Sequence, residues 1–342
     1  MSSAPKQGIP TSLNARGPVV LLVDHETGRY ARNGVFAMDR GSVEAQMLAV
    51  LQRQHATVVV LPYDIEATKS AAALQALHPR LVFNLTEWID GARARDHEIT
   101  ALLDRLHLRY TGTGAAGLKL CRDKVAVNRI AGRLGVDVPR NFVIRAGQRV
   151  AASPLGYPLF IKPAQGDGSD HINRRSLARN LSELRERVRV LRAKKAGPLL
   201  CEAYIPGRDV FVALLGNTPQ VLQPLVLELG RQSAKAPRFA TARLKHDVAY
   251  QRLWQVKYRE TDLPPRVMKQ LRHDCQRLFH ALHLRDYARF DFRLTPEGRL
   301  VFIEANPNPD LGRHTFGRER CFAGVPYPEL IRRIADAARR RT

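Results

Sequence analysis

Residues 287–306 read YARFDFRL-TPEG-RLVFIEAN, and this stretch decides more about the fold than any other part of the 342-residue chain. Apolar and charged residues alternate along its first eight positions, which is the period of a β-strand with two different faces. The TPEG segment is typical of a turn, and a second apolar run follows it. The pattern therefore predicts an antiparallel hairpin that carries Arg289, Asp291 and Arg293 on one face.

The expected register of this hairpin brings acidic side chains together. A four-residue turn puts Arg289 opposite Glu304 and places Asp291 diagonal to Glu304. Diagonal partners lie ~7–8 Å apart, so Asp291, Glu304 and Asn306 are expected to share one face. Two carboxylates and an amide oxygen suit Mg²⁺, with Mn²⁺ as a second choice. A solvated polar face is the alternative, but the rigid PNPDLG loop at 307–312 favours a site.

Alternating strand and helix patterns surround the hairpin. Between residues 18 and 115 apolar runs alternate with amphipathic helical runs, which predicts an open parallel sheet. Further strand and helix patterns fill the rest of the chain. We expect an α/β protein made of a disordered tail (1–17), an N-terminal parallel-sheet domain (18–115), a small central α+β domain (116–200) and a C-terminal α+β domain with the hairpin (201–342).

Two lysines are candidates for phosphate binding. Lys124 opens a predicted helix after a glycine-rich turn, and Lys162 ends a predicted strand before the glycine loop PAQGDGS at 163–169. A flexible glycine loop can fold its backbone N–H groups over a γ-phosphate. No GK[ST] follows these glycines, so the loop is not a Walker A motif. A surface lysine before a loop is the alternative interpretation for each residue.

The stretch GTGAAG at 112–117 matches the dinucleotide-binding pattern, and Asp137 follows about 20 residues later, as that pattern asks. In the dinucleotide fold, however, the glycines join the first strand of a domain to its helix. Here other predicted strands come first. We therefore interpret GTGAAG as a glycine-rich turn at a domain boundary.

The charge of the chain is strongly positive, since 55 Lys+Arg against 32 Asp+Glu gives +23. Such a charge suits a polyanionic partner such as nucleic acid, ATP or a cell-surface polymer. The arginines are spread along the chain, and no nucleic-acid motif interleaves them with aromatic residues. A solvated basic surface is therefore favoured, and nucleic acid is not the expected partner.

Cysteine usage and hydropathy indicate the compartment. The four cysteines are widely spaced and have no histidines at zinc spacing, so we expect free thiols in a reducing cytoplasm. No stretch approaches the ~20 apolar residues of a membrane helix, and the N-terminus lacks the apolar core of a signal peptide. The expectation is a cytoplasmic protein without a membrane partner.

Several motifs in succession resemble those of the ATP-grasp superfamily, and within it the D-alanine:D-alanine ligase branch. They are FNLTE at 83–87, RYTGTG at 109–114, DK at 123–124, FIKP at 160–163, LCEAYIPG at 200–207, RFD at 289–291 and EAN at 304–306. The resemblance implies an ATP-grasp fold behind an N-terminal parallel-sheet domain. It also implies an ATP-dependent ligase that joins a carboxylate to an amine through an acyl phosphate.

The resemblance further implies roles for single residues. ATP would be bound by Lys124 and Lys162 at the phosphates, Glu202 at the adenine amino group, Ala203 and Ile205 through the backbone of the adenine pocket, Asp209 at the ribose, Ser169 in the glycine loop, and Lys245 as a further phosphate candidate. Arg289 would brace the acyl phosphate and the tetrahedral intermediate. Asp291, Glu304 and Asn306 would hold magnesium.

Departures from the family pattern fall mainly on the substrate side. Asp310 stands where the dipeptide ligases have a glycine, and Thr315 where they have a serine that binds the substrate carboxylate. Asp24-His-Glu-Thr-Gly28 replaces the usual glycine-rich opening with its substrate-orienting acid. The glycine loop aligns Gly168 and Ser169 with a usual serine pair.

We therefore expect small carboxylate and amine substrates, amino acids or short peptides, other than D-alanine. A D-alanine:D-alanine ligase is the first alternative. A basic nucleic-acid-binding protein on a degenerate ATP-grasp shell is the second, and a homodimer is left open.

Overall fold

The computed structural model describes residues 17–166, 171–231, 247–312 and 324–341, together with 233, 236–237, 239–241, 243–244 and 322. The strands are β1 (Val19–Asp24), β2 (Gly28–Tyr30), β3 (Phe36–Met38), β4 (Val58–Tyr63), β5 (Leu81–Asn84), β6 (Asn141–Ile144), β7 (Leu159–Pro163), β8 (Leu177–Ala178), β9 (Leu199–Ala203), β10 (Arg208–Leu215), β11 (Gln220–Val221), β12 (Leu225–Leu229), β13 (Val256–Glu260), β14 (Tyr287–Leu294) and β15 (Leu300–Pro307). The α-helices are α1 (Val43–Gln54), α2 (Ala67–Leu77), α3 (Asp96–Arg105), α4 (Ala115–Arg122), α5 (Lys124–Arg133), α6 (Leu181–Ala193), α7 (Val248–Trp254), α8 (Pro265–Ala281) and α9 (Tyr327–Arg340).

The predicted parallel sheet near the N-terminus is confirmed. Strand β1 lies between β4 and β5, and both neighbours run parallel to it. Every residue of β1 is buried, because a central parallel strand is covered on both faces. The carboxyl ends of these strands therefore meet at one edge, where Asp24 and Asn84 lie.

Two antiparallel sheets follow along the chain. The smaller has the order β6-β9-β7-β8, and the larger has the order β13-β12-β10-β14-β15 with β11 attached to β10. The predicted hairpin of β14 and β15 is confirmed, and β14 lies inside the larger sheet between β10 and β15. The predicted domain boundaries at 115 and 200 stay predictions.

The predicted register of the hairpin is wrong. Leu294 pairs with Leu300, and an irregularity between Asp291 and Phe292 adds a further residue on β15. Asp291 therefore lies directly opposite Glu304, and Arg289 lies opposite Asn306. A bulge of this kind inserts one residue into one strand, which the alternation of side chains does not reveal beforehand. The observed register brings the Asp291 and Glu304 carboxylates closer together than the diagonal arrangement would.

Local capping explains where several helices begin. The Asp123 carboxylate accepts a hydrogen bond from the Ala126 N–H at 2.9 Å, so α5 begins at Lys124. The Asn180 side chain accepts one from the Glu183 N–H in the same way at the start of α6. Each cap satisfies a backbone donor that the first helical turn leaves without a partner. The cap of α5 fixes the position of Lys124.

The C-terminal helix joins the first and the larger sheet. Leu330, Ile331 and Ile334 of α9 belong to the same apolar core as Val19 of β1 and Phe211 of β10. Burial of this apolar face stabilises α9 against both sheets. In the described part of the chain, none of the helices is long and apolar enough to cross a membrane.

Candidate functional site

Acidic side chains meet on β14 and on the edge strand β15 of the larger sheet. The Arg289 Nε donates to the Asp291 Oδ1 at 2.7 Å, and its Nη2 donates to the Oδ2 at 3.3 Å. The Asn306 Nδ2 donates to the same Asp291 Oδ1 at 3.2 Å. Glu304 lies across from Asp291 on β15 and is only partly buried. The structure thus brings together the predicted catalytic arginine and the three predicted metal ligands.

The donor set of this cluster fits a hard cation. The described residues hold no group of three or more His, Cys, Asp and Glu side chains that could form a metal site by themselves. Asp291, Glu304 and the Asn306 amide oxygen supply oxygen ligands, which suits Mg²⁺ that keeps waters and bridges phosphates. Among the described residues, none hydrogen-bonds or ion-pairs with the Glu304 carboxylate. The cluster is consistent with magnesium, and the metal assignment stays a proposal.

A buried ion pair lies on the smaller sheet. The Lys162 Nζ is 2.9 Å from the Glu202 Oε2, and the two side chains are 2% and 3% exposed. The Asn128 Nδ2 donates to the other carboxylate oxygen of Glu202 at 3.1 Å. Such a pair must be well satisfied, because a buried charge without a partner is costly. The network therefore holds Lys162 and Glu202 in fixed positions.

Asn128 belongs to this network, although none of the sequence motifs assigns it a role. The signal was present, because Asn128 follows Lys124 by four residues and so shares its face of α5. The Lys124 ammonium donates to the Gly166 carbonyl at the start of the glycine loop. The Lys124 N–H donates to the Ala164 carbonyl at 3.0 Å, and the Gly166 N–H donates to the Arg122 carbonyl at 3.1 Å. The beginning of α5 is thus tied to the glycine loop.

Asp209 faces Arg293 across β10 and β14. The Arg293 Nη1 donates to the Asp209 Oδ1 at 2.8 Å, and the Ala240 N–H donates to the Oδ2 at 2.7 Å. Arg293 also donates to the Ile205 carbonyl at 3.2 Å. Ribose hydroxyls at Asp209 would use the second lone pair of each carboxylate oxygen. The sequence pattern had placed Arg293 on this face without a function, and the structure makes it the residue that positions Asp209.

One cavity collects most of the predicted nucleotide and metal residues. Its lining includes Lys162, Glu202, Ala203, Ile205, Asp209, Asp291 and Glu304. Phe160 and Phe239 also line it, with their rings 4.9 Å apart at 89°. An apolar, partly aromatic wall with charged groups at one end suits a base attached to phosphates. This nucleotide cavity spans the smaller and the larger sheet.

Other predicted residues lie beside the cavity or outside the described part. Arg289 and Asn306 reach it through Asp291, which they hydrogen-bond. Lys124 reaches the glycine loop. Ser169 and Lys245 lie outside the described residues, as do Gly168 and Thr315. Their predicted roles stay predictions.

A second cavity of about 540 Å³ lies at the carboxyl edge of the parallel sheet. Asp24, Glu87 and Trp88 line it, and so does the 308–311 segment that follows β15. The Asp24 carboxylate accepts hydrogen bonds from the Glu87 N–H at 3.0 Å and from the Trp88 N–H at 3.1 Å. Burial raises the pKa of Asp24 to about 6, although these N–H groups act in the opposite direction. We call this cavity the edge cavity.

The glycine-rich turn at 112–117 packs between these parts of the molecule. Gly112 has a φ of +93°, and its N–H donates to the Asp286 Oδ2 at 2.8 Å. A Cβ atom at Gly112 would lie 2.6 Å from the Asn308 Oδ1, so a larger residue would clash there. These contacts favour the interpretation of GTGAAG as a structural turn.

Comparisons with known proteins agree with this geometry. The profile of the family described as D-ala D-ala ligase C-terminus matches residues 142–336. An uncharacterized protein of Sinorhizobium fredii, y4sG, is 32% identical over 272 residues, which cover 76% of this chain and 75% of that protein. The D-alanine–D-alanine ligase of Gloeobacter violaceus is 28% identical over 259 residues, covering 73% of this chain and 80% of the ligase.

The fold comparison covers nearly the whole chain. The crystal structure of the D-alanine–D-alanine ligase from Bacillus anthracis complexed with ATP superposes with a TM-score of 0.69 at 16% identity. The match covers 94% of this chain and 97% of that one. It confirms the predicted ATP-grasp fold class.

Proposed function

The chain belongs to the D-ala D-ala ligase C-terminus family and is an ATP-dependent carbon–nitrogen ligase of the ATP-grasp fold, and we propose that it works through an acyl phosphate on substrates other than D-alanine. One carboxylate would receive the γ-phosphate of ATP. An amine would then attack the activated carbonyl and release phosphate.

The observation that carries this proposal is the shared lining of the nucleotide cavity. Seven of the residues expected to bind ATP or metal line the same cavity, although they come from five different strands and one loop between two of them. Lys162 and Glu202 lie at the side of the smaller sheet, and Asp291 and Glu304 lie at the side of the larger sheet. A nucleotide held between the two sheets would place its phosphates near both sets of charges.

The residues of the chain support each step of such a reaction. Lys162 and Lys124 would orient the phosphates, and Glu202 would accept a hydrogen bond from the adenine amino group. The Arg289 guanidinium, which Asp291 holds in place, would stabilise the oxyanion that forms when the amine attacks. Magnesium held by Asp291, Glu304 and Asn306 would neutralise phosphate charge. Burial under the glycine loop would limit hydrolysis of the acyl phosphate.

The balance of the reaction is simple. A carboxylate oxygen bonds to the γ-phosphorus while the bond to the ADP oxygen breaks. The amine nitrogen then bonds to the carbonyl carbon, the bond to the phosphate oxygen breaks, and the nitrogen loses a proton. The products are an amide, ADP and phosphate.

Substrates other than D-alanine are proposed because of the lining of the edge cavity. Asp310, which stands where the dipeptide ligases have a glycine, lines that cavity. Asp24, which belongs to the segment that replaces the family's usual opening, lines it as well. Asp310 adds a negative charge where the substrates of the family would lie, and the Asp24 segment changes the residues around it. The cytoplasmic location and the oligomeric state stay predictions.

Phosphate release from Mg·ATP with a panel of amino acids, dipeptides and amines tests the ligase. Release is expected only when a carboxylate and an amine are both present. Glu304→Gln, which replaces one proposed carboxylate ligand by a neutral amide, is expected to lower the rate about 10–100-fold. Glu297→Gln lies on the exposed turn of the same hairpin and is the control, with wild-type activity expected.

Two results would contradict the proposal. One is unchanged phosphate release in Glu304→Gln. The other is an absence of ATP binding together with salt-sensitive binding to DNA or RNA, which the nucleic-acid alternative predicts.

A further inference from the structure

The described lining of the edge cavity has a charge opposite to that of the whole molecule. Asp24, Glu26, Glu44, Glu87 and Asp310 line it, and no Lys, Arg or His is among the described residues of its lining. The complete chain carries a net charge of +23. Within the part of the chain that the structure describes, five carboxylates around one cavity of a basic protein form a local field of the opposite sign.

Several of these carboxylates have no cation beside them. Glu26 and Glu44 have neither a hydrogen-bond partner nor an ion-pair partner among the described residues. The Asp24 and Asp310 carboxylates accept hydrogen bonds from backbone N–H groups, which are neutral. Of the five lining carboxylates, only Glu87 forms an ion pair with a described residue, and this residue is Arg93. Most of the negative charge in the cavity is therefore not balanced by the described protein.

The hydroxyl of a largely buried tyrosine gives an independent sign of a polar ligand. The Tyr287 side chain lines the edge cavity, and its residue is only 3% exposed. No described residue hydrogen-bonds its hydroxyl group. Burial raises the pKa of Tyr287, and the nearby carboxylates Glu87 and Asp310 raise it further, so the phenol stays protonated and faces these acids. The hydroxyl can be reached from the cavity, so a polar ligand there can hydrogen-bond it.

One wall of the cavity suits an alkyl chain. The Trp88 indole lines the cavity and is 43% exposed. Val43 and Leu85 line the cavity as well. An apolar wall between separate carboxylates matches a molecule with methylene groups between two charged ends.

We infer that the edge cavity binds the amine substrate of the ligase as a short-chain compound with two amino groups, a basic amino acid or an alkyl diamine. This inference rests on the proposed function for its reaction, though not for the binding itself. One amino group stays an ammonium ion, held by the carboxylates of the cavity. The other attacks the acyl phosphate.

Isothermal titration calorimetry on the full chain with Mg·ADP tests the inference. The probes are L-lysine, 1,4-diaminobutane, L-norleucine and D-alanine. Norleucine has an uncharged side chain of nearly the same size as that of lysine, so the pair isolates the second ammonium group. We expect L-lysine or 1,4-diaminobutane to bind at least about tenfold more tightly than norleucine, and the difference to shrink at high salt.

A charge-neutralising variant distinguishes binding in the edge cavity from attraction of the cation by charges elsewhere on the protein. The double substitution Glu26→Gln/Glu44→Gln is expected to weaken binding of the preferred cation about tenfold or more. ADP binding should stay unchanged, because neither residue lines the nucleotide cavity. Glu260→Gln removes one exposed carboxylate from β13, outside the edge cavity, and is the matched control with no expected loss.

The possible results distinguish the assignment of the cavity from the assignment of the ligase. Equal binding of norleucine and lysine, no binding of any probe, or no loss in the double variant would overturn the inference. Cation binding without phosphate release would contradict the ligase and leave the cavity assignment standing. Phosphate release with neutral amino acids alone would support the ligase and overturn the cation site.

Discussion

The nucleotide cavity and the edge cavity differ in whether their charged side chains are paired. In the nucleotide cavity Lys162 is paired with Glu202, Arg293 with Asp209, and Arg289 with Asp291. In the edge cavity most carboxylates lack a cationic partner among the described residues. Paired charges fix the shape of a site before a ligand arrives, whereas unbalanced charges leave the counter-charge to the ligand. The comparison teaches that the first site is organised by the protein and the second by what it binds.

The largest expected effect tests the paired character of the nucleotide cavity. Lys162→Met leaves the Glu202 carboxylate buried without its cation, so the free energy of unfolding should fall by about 3–5 kcal/mol. Urea denaturation measures this change. Lys69→Met is the matched control, because its ammonium lies at the same 2.9 Å from Glu66 in an exposed pair.

Little measurable loss is expected for the exposed pair, where water replaces the lost partner. Similar losses in Lys162→Met and Lys69→Met would show that burial does not set the strength of the nucleotide-side pair.

The second effect concerns pH and the edge cavity. Burial raises the pKa of Asp24 to about 6 from the ordinary value of 3.8, so the folded protein keeps this proton where the unfolded chain has lost it. The contribution of Asp24 to the free energy of unfolding therefore falls as pH rises through this window, by about 3 kcal/mol. Asp24→Asn cannot titrate and should remove this dependence.

Unfolding curves of wild type and Asp24→Asn at pH 4 and pH 7 measure the effect. The wild type should lose stability relative to the variant at the higher pH. Asp262→Asn changes an exposed carboxylate and is the control, with a stability difference that stays constant. If the stability difference between wild type and Asp24→Asn were also the same at both pH values, the pKa of Asp24 would not be raised in the folded protein.

The smallest expected effect is that of the neighbouring carboxylates on the pKa of Asp24. The charges of Glu26 and Glu44 contribute to the raised pKa of Asp24, after burial. Glu26→Gln and Glu44→Gln should each lower that pKa by ~0.3 units, the size expected of an exposed charge pair. Carboxyl titration by NMR measures the shift. An unchanged Asp24 pKa in both variants would show that the carboxylates of the edge cavity do not act on one another.

Much of the fold followed from local patterns. The apolar run of β1 and the alternation in β14 predicted strands correctly, because side chains alternate along a strand. The alternation in β14 did not show that both of its faces are buried. The register between Asp291 and Glu304 did not follow, because a bulge depends on how both strands twist against their neighbours. Asn128 and Arg293 were missed for a similar reason, since their partners are far away in the sequence.

The sequence by itself determined the strand and helix alternation before residue 115, the hairpin at 287–306, the carboxylates and lysines available for ATP, and the departures at Asp24 and Asp310. These follow from residue types and short-range periodicity. Only the tertiary structure decided that Lys162 is neutralised by Glu202 whereas Glu26 and Glu44 face a cavity without a described cation. Whether a charge is paired or left for a ligand depends on contacts between distant segments, and local sequence carries no record of them.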